Sequence, residues 1–149
     1  MKTAIARHCL PVIVSLLILM VSGCTNIRLI ADYDEQTDVA VTQVQRKLEQ
    51  FLVSLERNIG REEASYSRNT KFYDDIRVDL SAIRVRATAI PDNDRTVQSI
   101  RLLIDTVDNL EKLHQLGLAA NDIPPIRTAF NVSCTAILKL ELAKKRGKP

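Results

Sequence analysis

The chain has 149 residues, a formal charge of +3 and 46% hydrophobic residues, with four glycines and three cysteines. That length makes one domain with a core of its own, and not two. Lys2 and Arg7 precede or open an apolar N-terminal run. Without them the charge is close to balance, which argues against nucleic acid as a partner. Three cysteines do not make a disulfide framework.

Residues 1–23 have the parts of a secretory signal: a positive start, a mostly apolar run from Leu10 to Val21, and small residues before a cysteine. The run is short for a transmembrane helix, which needs about 20 apolar residues. An uncleaved membrane anchor is the alternative. Val21-Ser22-Gly23-Cys24 resembles the lipobox of bacterial lipoproteins at every position. That resemblance implies removal of residues 1–23 and acylation of Cys24, which becomes the first residue of the mature chain. In such proteins an aspartate after the cysteine favours the inner membrane. Thr25 stands there, so the resemblance implies an outer-membrane lipoprotein facing the periplasm.

Beyond Cys24 the apolar residues recur at spacings of three and four, which predicts helices. A first helix starts between Asn26 and Asp32 and runs to about Ile59, with Ile30, Tyr33, Thr37, Val41, Val44, Leu48, Phe51, Leu52, Leu55 and Ile59 as its stripe. Asp32 and Glu35 have capping-box spacing, and Gly60 is the expected stop. A second helix spans about Ser67 or Thr70 to Ala89, with Phe72, Ile76, Leu80, Ile83, Ala87 and Ile90 inward, and Pro91 ends it. Asp92-Asn93-Asp94 supplies a turn and an N-cap for a third helix, about Arg95 to Leu116, stopped by Gly117. Asp122 and Pro124-Pro125 open a fourth, with Ile126, Ala129, Phe130, Ser133, Ile137 and Leu140 as its stripe. The expected fold is all-α: an antiparallel up-down-up-down four-helix bundle after a cleaved lipoprotein signal peptide. The expected organisation is signal peptide 1–23, lipidated N-terminus and short tether 24–31, bundle 32–143 and basic tail 144–149.

Several segments read as candidate sites. Asp32, Asp34, Glu35 and Asp38 form an acidic cluster, but Gln36 and Thr37 stand where a calcium loop needs Asp or Asn and then glycine. Residues 31–38 are similar to a stretch in small bacterial lipoproteins without an assigned activity, which makes the cluster a candidate partner contact. Glu111 and His114 have the spacing of a di-iron motif, which a bundle needs on two helices; no histidine other than His114 follows Cys24. A packed histidine is the expectation. Cys134 reads as a small core residue at the edge of the fourth stripe, or else as a thiol for an intermolecular disulfide. No catalytic residues, cofactor or metal site are expected. Val78, Ala82, Val85 and Ala89 form a second apolar stripe on the second helix, nearly opposite its core stripe and flanked by Asp75, Arg77, Arg84 and Arg86. They are candidates for a partner surface. Lys144, Lys145, Arg146 and Lys148 are candidates for a membrane-facing tail, because an even number of helices returns the C-terminus to the anchored end.

The expected role is interaction or scaffolding in the cell envelope, with the membrane held through the N-terminal lipid and a protein partner or a second copy on the surface. The alternative is a binder of a small apolar ligand or metal within the bundle.

Overall fold

A computed structural model describes residues 31–147. The leader, Cys24 and Lys148 lie outside the described residues. Within them the chain forms four long helices: α1 (Glu35–Asn58), α2 (Tyr66–Thr88), α3 (Asp94–Leu116) and α4 (Ile123–Arg146). Single 3-10 turns, Glu62–Ala64 and Ala120–Asp122, sit in two of the connections.

The cap that starts α1 is Asp34, not Asp32. Its carboxylate accepts the backbone N–H of Thr37 at 3.2 Å and the Thr37 hydroxyl at 2.6 Å. That satisfies one of the orphan donors every helix start leaves. Gly60 and Gly117 follow α1 and α3 with φ of +80° and +97°, the left-handed region where a side chain would be strained. Asp92 adopts φ +58° in the turn before α3, a conformation that aspartate tolerates better than most residues. Asn93 caps nothing through its side chain. Its amide instead donates to the Ala87 carbonyl at 2.9 Å, closing the end of α2. α4 carries its two prolines in the first turn, where no helical N–H is lost. It then continues through Arg146, so residues 144–146 belong to the helix and not to a separate tail.

Each helix packs chiefly on two neighbours: α1 on α2 and α4, and α3 on α2 and α4. The order around the bundle is therefore the order along the chain, as short antiparallel connections require. Most of the expected α1 stripe is core: Val41, Val44, Leu48, Leu52 and Leu55 are almost wholly buried, whereas Tyr33 and Ile59 are only half-buried and Ile30 lies outside the described residues. In α2 the core aromatic is Tyr73, while its neighbour Phe72 is half-buried and stacks on Phe51 with ring centroids 3.7 Å apart. Each fully buried large apolar side chain adds roughly 1.5–3 kcal/mol of burial free energy, and these rows supply the drive for folding.

The fourth stripe differs from expectation. The buried residues are Ile123, Phe130, Cys134, Ile137, Glu141 and Lys144, whereas Ala129 is exposed and Leu140 only half-buried. A charged pair thus enters the core at the near end, where the described chain begins. The far end is aromatic instead, with Phe51, Tyr66, Phe72, Tyr73 and His114 in mutual contact.

Candidate interaction surface

α2 is apolar on two sides. One side holds Tyr73, Ile76, Leu80, Ile83 and Ala87 in the core. The other holds Val78, Ala82, Val85 and Ala89, all exposed, with Val78 at 69% and Val85 at 65%. The helical period alone produces this geometry, since two rows spaced by threes and fours can occupy opposite faces. Single exposed apolar side chains need no explanation, but a row on one face marks a candidate contact.

The charges around the row are engaged within the chain. Asp75 pairs with Lys71 at 2.6 Å, and Asp79 reaches across to Lys47 of α1 at 2.6 Å. Arg86 holds Asp34. Two of the expected flanking residues lie elsewhere. Arg77 turns toward α3, where it pairs with Asp108 at 2.8 Å and with Glu111, and Arg84 lines the groove between α2 and α3. The exposed pairs Lys71–Asp75 and Lys47–Asp79 contribute about 0–1 kcal/mol each. They also hold long side chains to either side of the valines. Beside the row, α1 and α2 leave a shallow groove of about 210 Å³ with Ala40, Ala82 and Ile83 among its walls.

The acidic cluster is divided by the fold. Asp32 and Glu35 are exposed and Asp38 is half-buried, accepting the Tyr33 hydroxyl at 2.9 Å. Asp34 is buried and leaves the surface set. Its carboxylate accepts two hydrogen bonds from Arg86, at 2.6 and 2.7 Å. The Arg86 guanidinium outweighs burial and pulls the Asp34 carboxyl down to about 2.

The basic tail is divided in the same way. Lys144 is 7% exposed and faces the core, where its ammonium donates to Asn93 Oδ1 at 2.5 Å, Thr96 Oγ1 at 2.9 Å and Glu141 Oε1 at 2.5 Å. A buried ammonium is tolerated only when its protons are taken up, and here all three are. Lys144 is therefore no membrane-facing residue. Lys145 lies over the Tyr33 ring, 5.1 Å from its centroid, and Arg146 is exposed. The last turn of α4 does stand beside the start of α1, since the Asp34 N–H donates to Glu141 Oε2 at 3.2 Å.

His114 is a packed histidine. Its Nε2 donates to the Ala64 carbonyl at 2.7 Å, so in the neutral ring Nδ1 accepts from the Tyr73 hydroxyl at 2.8 Å. Glu111 lies beside Arg77 and Tyr66, and the guanidinium holds the pKa of its carboxyl below the usual carboxylate value. Cys134 is 1% exposed, deeper than its edge position implied. Burial pushes its thiol up to about 11. His114 contacts Tyr73, Tyr66 and Phe51 at the far end, whereas Cys134 sits midway along α4. Among the described residues no group of three or more His, Cys, Asp or Glu side chains is placed to hold a metal. No described helix is long and apolar enough to cross a membrane.

No family model, no curated protein and no solved structure matches this chain.

Proposed function

We propose that this is a lipid-anchored protein of the bacterial cell envelope, held at the outer membrane and facing the periplasm, that acts by contact with another protein. The anchoring half rests on the Leu19–Cys24 stretch, with Cys24 as the lipidated residue. The contact half rests on one observation, the exposed row of Val78, Ala82, Val85 and Ala89 on a helix whose core face is already filled. Asp32, Glu35 and Asp38, at the start of α1, are secondary candidates. Contact of the C-terminus with an anionic membrane would fall to Lys145, Arg146 and Lys148, with Lys144 withdrawn into the core.

The ligand-binding alternative has less behind it. A groove of about 670 Å³ lies at the near end and is lined by Leu140, Ala143, Thr96, Asn93 and Lys144 among others. Its buried polar groups are already bonded to one another, which leaves little with which to orient a ligand.

Cross-linking in intact envelopes tests the contact. A discrete adduct from a photoreactive residue at position 82 is expected, and Val85→Glu should abolish it. No adduct, or one indifferent to Val85→Glu, would remove α2 as the contact surface.

A further inference from the structure

The near end of the bundle carries a closed polar network in place of an apolar core layer. Glu141 is 0% exposed and accepts from three donors: the Asp34 backbone N–H, the Thr96 hydroxyl and the Lys144 ammonium. Lys144 also binds Asn93 and Thr96. Asn93 closes onto the Ala87 carbonyl of α2, and Asp34 grips Arg86 of the same helix. All four helices and the segment before α1 meet here. The donors of Lys144 are used up, so the network is closed and offers no charge to a ligand.

Stability alone does not account for it. Withdrawing a carboxylate and an ammonium from water costs several kcal/mol per ion, and well-packed apolar replacements are often as stable or more so. Cys134 and Ile137 precede Glu141 in the same helical row and are apolar, so a leucine and a methionine would continue the core without a break in pattern. What an apolar pair cannot do is hold a backbone N–H outside a helix. Glu141 does this at Asp34, one residue before α1 begins.

We infer that this network is a clasp, which fixes the direction in which the chain enters α1 and contributes position more than stability. Tyr33, next in line, is held between the Asp38 carboxylate and the Lys145 ammonium. Arg86 adjoins Val85, so the clasp also sets the exposed α2 face at a fixed angle to the chain that leads into the bundle.

Hydrogen exchange on the full chain in detergent tests this with two variants. Glu141→Leu/Lys144→Met also takes the partners from Asn93 Oδ1 and the Thr96 hydroxyl, so it should melt below the wild type but above Lys144→Met alone, while exchange over residues 32–38 rises about tenfold or more and the middles of the helices stay protected. Unchanged exchange over residues 32–38 would overturn the proposal. So would a collapse of the melting temperature, or a rise shared by all four helices, since either makes the network an ordinary prop of the fold. Asp34→Asn is the second arm. It keeps a capping side chain and leaves no charge stranded in the core, so it should fold. It should also raise exchange over residues 32–38 alone, and failure to do so sinks the clasp however the double variant behaves.

Discussion

Asp34 is pulled two ways, because burial favours its neutral form and the Arg86 guanidinium favours its charged form. The guanidinium prevails, and the folded carboxyl titrates at about 2 against an ordinary 3.8. A depressed carboxylate stabilises the fold at pH values above its unfolded constant and loses that contribution as pH falls through the folded one. The contribution should be whole above about pH 4 and gone near pH 2. Arg86 is partly exposed, so solvent reduces the effect to roughly 1–2 kcal/mol. Melting curves of the wild type and Asp34→Asn should differ at pH 6 and converge near pH 2, and a constant difference would contradict the assignment. Lys144 gives a larger effect. Lys144→Met alone strands the Glu141 carboxylate in the core and should cost about 3–5 kcal/mol by denaturant unfolding, while the paired replacement, which orphans only the neutral Asn93 and Thr96 groups, should cost less. Cys134 should react with thiol reagents about a hundredfold more slowly than an exposed cysteine, since burial suppresses its thiolate. A disulfide-linked dimer that Cys134→Ser removes would show that the thiol reaches the surface.

The helices show which features sequence periodicity can disclose. The α1 stripe is legible because Val41, Val44, Leu48, Leu52 and Leu55 are aliphatic and evenly phased, so one side of the helix has no competitor for the core. α4 is different. Its buried row runs Phe130, Cys134, Ile137, Glu141, Lys144, and a pattern sought in apolar residues stops at Ile137 and drifts to Leu140. The signal that could have found the rest is the phase itself. Glu141 and Lys144 continue the four-three-four-three spacing and carry opposite charges three residues apart, as a buried pair requires. Adjacent aromatics defeat periodicity in another way: Phe72 and Tyr73 are one residue apart, and only the Tyr73–His114 hydrogen bond selects which one is central. The outer row of α2 is fully legible, since four apolar residues opposite a complete core stripe have no inward place. Val85→Glu should accordingly leave the melting temperature nearly unchanged, within the ~0.5 kcal/mol typical of surface positions. A clear loss of stability would put Val85 in the core and withdraw it from any partner.

For the whole molecule, an even number of antiparallel helices brings the last turn of α4 back to the first turn of α1, and the Asp34–Glu141 hydrogen bond records that return. Six residues separate Cys24 from Ala31, so a lipid on Cys24 would hold the bundle close to its membrane, with the α2 row running along the side of the molecule and the aromatic end farthest away. The account depends most on the lipid. Cells given radiolabelled fatty acid, with the protein then recovered by immunoprecipitation, test it directly. The wild type should carry label and run as the shorter mature form, and Cys24→Ala should carry none and accumulate as the precursor. Label retained in Cys24→Ala, or an unlabelled wild type, would contradict the account.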